Sequence, residues 1–392
     1  MKYWRGYLVG GIVAVITVAL TMLAEKFSSL VDMVYPYISR TILTMLAQWT
    51  GAVEFTVWQV AVVLLVLGLL ATVVLMIVLK WNFVQWLGWV LAGASMVWFL
   101  HTGVYGLNYH ASPLADDIRL EVTEYTQDEL EDAIIYFRDH ANALAAQLPR
   151  DSEGNLIYDD FETLADKAGE GFINLSLDGS ASVFAGSVLP VKQLAWADMY
   201  TSMGICGVTM PVTGEAAVNP QIPNMSLPFT MCHEMAHRMA IAQERDANLA
   251  GFLTCLANTD PQFQYSAYYM AYRYCYNALC AVGSAEASAA AARIATGLGE
   301  EFKHDLKVYS DFFNANRSDT ATKVANTAND TYIKVSGDAS GTASYGEVCD
   351  LLVSWYVQEI IMPGQVVEED KFDPLDKDQV DISDIIGSGE EE

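Results

Sequence analysis

Three stretches of this chain, Tyr7–Ala24, Val57–Leu79 and Phe83–Tyr105, contain no Asp, Glu, Lys or Arg. Runs of that length and apolarity suit a hydrocarbon layer, where a helix satisfies all its backbone polar groups internally. Each is therefore expected to cross a bilayer. Buried core helices are the competing reading, and the absence of charge over so many residues weighs against it. A cleaved leader competes for the first run alone, but no small-x-small cleavage site follows it. Trp81, Trp86, Trp89 and Trp98 add aromatic residues around the third run, as interfacial or packing groups. Lys2, Arg5 and Lys80 flank the spans on one side. Lys26 and Arg40 are diluted over the longer 25–56 segment. This bias predicts a cytoplasmic N-terminus and tight turn, with 25–56 and everything after Tyr105 outside the cell membrane. The 25–56 segment reads as an interfacial loop. It carries one apolar helix, Thr41–Gln48, at the interface or against the soluble part.

The sequence has 392 residues and a net charge of −27, from 48 acidic and 21 basic residues. So acidic a chain is a poor partner for nucleic acid. The expected division is a membrane domain over 1–106, a soluble domain over 107–364 and an acidic disordered tail over 365–392. Thr126-Gln127-Asp128-Glu129 is a capping box that opens an amphipathic helix to about Gln147. Further helices are expected at Phe161–Ala168, Ala247–Leu256, Gln262–Gly283, Ala285–Leu298, Phe302–Asn314 and Tyr345–Ile361. His140 and His304 fall on charged helical surfaces and read as solvated. Gly204–Pro211 reads as a short strand, a rim whose free edge could bind an extended peptide. A plain turn is the alternative there. The six cysteines form no C-x-x-C pair and read as core thiols.

The chemistry is concentrated in Thr230-Met231-Cys232-His233-Glu234-Met235-Ala236-His237. On a helix, residues i and i+4 lie on one face, so His233 and His237 would offer two imidazoles to one Zn²⁺ ion. Glu234 would stand beside that ion as general base. Met231, Met235, Ala236, Met239 and Ile241 make this helix apolar and buried, where unpaired polar groups are costly. That argues against two solvated histidines on an exposed helix. A third ligand is needed. Glu244 lies seven residues past His237, about 10 Å on an unbroken helix. It reaches the same ion only if the chain turns near Ala240–Gln243 and a second helix begins there. Asp246 is the rival ligand.

Glu244-Arg245-Asp246-Ala247-Asn248 resembles the second-helix motif E-x-x-A-N of the gluzincin zinc peptidases. That resemblance implies Glu244 as third ligand and Asn248 as the residue orienting a ligand histidine. Other stretches are Tyr35-Pro36-Tyr37-Ile38-Ser39, Gly106-Leu107-Asn108-Tyr109, Pro113-Leu114-Ala115, Thr213-Gly214-Glu215-Ala216 with Val218-Asn219, Pro228–His237 and Ser344-Tyr345-Gly346. Together they resemble a bacterial family known as domain of unknown function 3810, a set of membrane-anchored chains bearing this zinc-peptidase motif. Two positions depart from that pattern. Ala240 stands where the family usually has Gly, and Asp246 where Glu is usual.

The expected fold is mostly α. Three N-terminal transmembrane helices precede a mainly helical, zincin-like metallopeptidase domain with a small β edge. The expected function is zinc-dependent hydrolysis of a peptide or protein substrate, in or near the cell envelope. Tyr345 is the expected oxyanion donor by analogy with other zinc peptidases, with Tyr332 as the alternative. The competing class is a non-catalytic, membrane-tethered zinc-binding sensor or cell-envelope binding protein.

Overall fold

The computed structural model describes residues 2–177, 182–336 and 344–362, with the backbone alone at 2, 335, 336 and 344–346. The chain opens with four long helices: α1 (Arg5–Lys26), α2 (Ser28–Thr50), α3 (Val57–Val78) and α4 (Phe83–Val104). Then come α5 (Leu114–Asp117), α6 (Gln127–Ala145), α7 (Phe161–Lys167), α8 (Glu170–Leu177) and α9 (Ala197–Met203). The remainder are α10 (Leu227–Arg238), α11 (Glu244–Leu256), α12 (Pro261–Ala281), α13 (Ala285–Thr296), α14 (Glu300–Asn316), α15 (Asp319–Ser336) and α16 (Ser344–Tyr356). Three short strands, β1 (Lys192–Gln193), β2 (Gly207–Met210) and β3 (Glu215–Val218), form one sheet in the order β1-β3-β2. β1 runs parallel to β3, and β2 antiparallel. The fold is mostly helical with a small sheet, as expected. The 365–392 tail lies outside the described residues.

α1, α3 and α4 each have 22 residues and are long and apolar enough to cross a membrane. At 1.5 Å per residue each spans about 33 Å. α1 and α4 pack side by side and parallel, Gly6 against the backbone of Gly88 and Gly10 against Ala92. Small residues four apart let two apolar helices approach closely. The start of α1 therefore lies beside the start of α4, at the end of the bundle that carries the Lys80 turn. The globular part occupies the opposite end.

The 25–56 segment is not a loop with one short helix. Most of it is one helix, the 23-residue α2, which runs through Pro36. Tyr35 donates to the Thr102 carbonyl (3.0 Å), and Ser39 donates to the Val104 carbonyl (2.7 Å) while accepting from Asn108 (2.8 Å). These tertiary bonds hold the helix across a residue that breaks it locally.

The sheet is bolted to the start of α3. Glu215 accepts from the backbone N–H groups of Val57 (2.8 Å) and Trp58 (2.9 Å), the orphan donors of that helix. Lys192 completes the joint, pairing with Glu215 at 2.7 Å and donating to the Thr50 and Phe55 carbonyls. Gln59 also exchanges two hydrogen bonds with the backbone of Ala195. α2 passes close over this turn at Gly214, φ +66°: a Cβ there would lie 2.6 Å from Ala47 N and Leu43 O. The Thr213-Gly214-Glu215-Ala216 motif is thus the seam between the long N-terminal helices and the globular part.

The globular core forms around α6, α10, α11, α12 and α16, with Phe137, Phe252, Tyr268 and Val353 fully buried. The capping box of α6 forms as expected. α16 is buried in this core rather than lying free. His140 and His304 are half-buried and bonded, His140 to the Tyr136 carbonyl (2.9 Å) and His304 to Asn155 (3.1 Å). Neither is fully solvated, because Tyr268 of α12 stacks on His140 and the Asp151–Asn155 turn lies against His304.

Candidate metal centre

The motif helix α10 ends at Arg238, and its last turn closes in a left-handed residue, Ala240, at φ +71°. Ile241 N–H bonds to the Ala236 carbonyl (3.2 Å) and Ala240 N–H to the His237 carbonyl (3.0 Å), the Schellman pattern. The chain reverses there, and α11 starts at Glu244. That turn brings a carboxylate seven residues away back over the two histidines. Alanine holds a glycine-favouring position here, buried in a small cluster with Leu43, Tyr105, Tyr109 and Ala242.

Glu244 Oε2 lies 3.3 Å from His233 Nε2 and 3.6 Å from His237 Nε2. One ligand atom from each of these three residues falls within a 4.8 Å set. Tetrahedral ligands about 2.0 Å from a zinc ion would stand ~3.3 Å apart. Glu244 Oε2 is sealed from water and accepts no well-aligned hydrogen bond, so a cation fits the gap it faces. Asp246 does not join this set. Its Oδ2 accepts from Leu114 N–H (2.9 Å), which ties α11 to the start of α5. Asn248 accepts from the Tyr274 hydroxyl (3.1 Å), and its Nδ2 has no partner among the described residues.

The group that orients His237 is a backbone carbonyl: Ile241 O lies 2.8 Å from Nδ1. A proton on Nδ1 leaves the Nε2 lone pair free toward Glu244. The Tyr105 hydroxyl lies 3.2 Å from the same Nδ1 and donates to the same carbonyl at 3.3 Å. Tyr105 is the residue directly after α4, so the last apolar helix touches the site itself.

Glu234 is buried beside the two histidines. The Thr209 hydroxyl on β2 lies 2.7 Å from its carboxylate and 2.8 Å from its main-chain carbonyl. Gly207 passes so close that a Cβ would stand 2.4 Å from Glu234 Oε1. β2 is an edge strand, and its alternation aims Gly207 and Thr209 at Glu234 while Val208 and Met210 pack on the sheet's small core. Burial raises the Glu234 pKa above its ordinary value, against the pull of His233 and His237. For His237, burial favours the neutral ring, but the Glu244 carboxylate facing Nε2 outweighs burial and raises the pKa. For Glu244, burial would raise the pKa, and the two histidines outweigh it and lower it.

Tyr332 bonds His101 Nε2 at 3.0 Å, at the end of α4. Tyr345 lies in the first turn of α16, and its side chain lies outside the described residues. Sequence reasoning missed Tyr105, Thr209 and Ile241. Thr209 sits in the strand it expected, and no periodicity links Tyr105 to a histidine 132 residues away.

The profile of a family described as a protein of unknown function (DUF3810) matches residues 31–353. The chain belongs to the DUF3810 family. The DUF3810 match runs from the first turn of α2 into α16 and includes all of α10 and α11. α1 precedes it. No curated protein and no solved structure matches this DUF3810 chain.

Proposed function

We propose that this protein is a membrane-anchored, zinc-dependent metallopeptidase. The observation that carries the reading is the convergence of His233, His237 and Glu244 beside a buried Glu234. His233, His237 and Glu244 would hold the ion, three protein ligands with a fourth position for water or substrate. A zinc ion bound there supplies a Lewis acid that polarises a carbonyl and makes water a better nucleophile at neutral pH. Glu234 accepts the proton of the attacking water and returns it to the leaving amine. The Thr209 hydroxyl fixes its carboxylate for that transfer. Ile241 and Tyr105 fix the His237 ring. The outer edge of β2 offers backbone groups to an extended peptide. Tyr345 is the proposed oxyanion donor, and the substrate is a peptide or protein of the cell envelope.

Basic residues Arg5 and Lys80 lie at the end of the bundle away from the metal centre. Their position supports a cytoplasmic end there and an extracytoplasmic site. The test is Glu234→Gln in the full-length chain, assayed with a peptide library. Zinc content is expected to match wild type, with turnover reduced by about 10²–10⁴-fold. Wild-type turnover in Glu234→Gln excludes this base. Bound zinc with no turnover of any peptide in either form favours the non-catalytic sensor.

A further inference from the structure

α2 carries only two charges, Asp32 and Arg40, and both face the protein. Asp32 accepts from Ser112 N–H (2.9 Å); Arg40 is buried and donates to the Met239 (3.1 Å) and Ser182 (2.7 Å) carbonyls. Asp32, Tyr35, Ser39, Arg40, Leu43 and Ala47 make one stripe at helical spacing, used against α4, the turn at Gly214 and the metal-site turn. Among the described residues the opposite stripe is largely uncovered, with Tyr37 reaching Ser182 at 3.5 Å. Leu30 is 61% exposed, Met33 68%, Ile38 49%, Met45 57% and Trp49 81%. Beside it a groove of about 670 Å³ runs between α2 and α8, lined by Thr41, Met45, Ile173, Phe184 and Val188. Leu177, at the end of α8, is 79% exposed.

We infer that this outer stripe of α2, with the groove beside it, docks on the bilayer interface, its occupant being lipid. Connectivity argues for lipid over a second protein. α1 ends two residues before α2 and α3 begins seven residues after it, and both are of membrane-crossing length. Tyr35 and Ser39 bond to Thr102 and Val104, in the last turn of α4, so α2 crosses at the depth where that apolar helix ends. An amphipathic helix at that depth buries its apolar face at the headgroup boundary, and Trp49 and Tyr37 suit that layer. His237 is bonded to Tyr105, one residue past α4, so the same docking holds the metal centre at the membrane surface. The peptide bonds it meets would belong to membrane-anchored or membrane-lying polypeptides. The inference rests on reading α1, α3 and α4 as spans.

The test is nitroxide accessibility on the full-length protein in phosphatidylcholine–phosphatidylglycerol vesicles. Labels go on Met45→Cys and, separately, Ile38→Cys, in a background with the accessible thiols removed (Cys206→Ser, Cys280→Ser). Leu67→Cys on α3 is the lipid reference and Lys307→Cys on α14 the aqueous one. Labels on α2 are expected to collide with oxygen over an aqueous nickel chelate in a ratio several-fold above that at Lys307→Cys. A water-like ratio on α2 with a lipid-like ratio at Leu67→Cys overturns the inference and leaves the spans standing. A water-like ratio at Leu67→Cys overturns the span reading and this inference with it. Dipolar broadening between α2 labels that disappears on dilution with unlabelled protein assigns the stripe to a second copy, and also overturns it.

Discussion

The carbonyl of Ile241 receives two donors, the His237 ring and the Tyr105 hydroxyl, and so ties one motif histidine to the end of an apolar helix. Tyr105→Phe removes one of the two groups on Nδ1 and leaves the other. Zinc affinity is expected to fall about tenfold, the low end for loss of an orienting partner, with unchanged far-ultraviolet circular dichroism. Competition with a chelator measures it, and an affinity equal to wild type would show that Ile241 alone suffices. Protonation is read at the same residue. The His237 pKa is raised by Glu244, and that of Glu244 is lowered by the histidines. In the metal-free protein their attraction is complete below the ordinary histidine pKa and above the ordinary glutamate one. It is lost as pH rises through the raised His237 value, or falls through the lowered Glu244 value. Zinc must displace the His237 proton, so apparent affinity should climb with pH through neutrality, by about tenfold per unit. Calorimetry in buffers of differing ionisation enthalpy should find about one proton released per ion. No release would mean that the ring is already neutral.

At the scale of elements, the turn after α10 decides whether Glu244 can meet the histidines. Ala240 in a left-handed conformation costs about 1–2 kcal/mol relative to a right-handed one. Its buried methyl returns about 0.8 kcal/mol. Glycine would relieve the strain, lose the methyl and cost more backbone entropy. Ala240→Gly should therefore unfold within about 1 kcal/mol of wild type, while Ala240→Val should cost about 2 kcal/mol or more and weaken zinc binding. Chemical denaturation separates the two. A neutral Ala240→Val would mean that the turn is not strained. The seam at α3 carries a second prediction. Glu215→Ala strands the largely buried Lys192 and uncaps a helix, so a loss of about 3 kcal/mol is expected. Replacing both partners by apolar residues should recover part of it, and no recovery would point to the helix cap as the main contribution. The turn and the restart at Glu244 were legible from the chemistry two histidines demand. The continuous helix over Ser28–Thr50 was not. Pro36 and the polar residues Ser39 and Arg40 signal a break locally, and their partners, Val104, Asn108, Met239 and Ser182, are far away in sequence.

For the whole molecule, hydropathy alone marked three apolar helices of membrane-crossing length, and periodicity marked most helices of the globular part. Pattern could not show how these parts meet, because the joints are single residues: Glu215 at α3, Asn108 at α2, Tyr105 at His237. A consequence is that the globular part should not keep its metal site when cut from its helices. A chain beginning after Tyr105 loses the hydroxyl on His237 and the whole inward stripe of α2. Lower zinc affinity than the full-length protein is expected. The measurement that bears most directly on the centre itself is zinc-edge X-ray absorption of the full-length protein, beside Glu244→Gln. A centre built from His233, His237 and Glu244 predicts two imidazoles and low-number oxygen ligation without sulfur, with the imidazole signal kept and affinity reduced in Glu244→Gln. A sulfur shell, a single imidazole, or a spectrum and affinity unchanged by Glu244→Gln would contradict it.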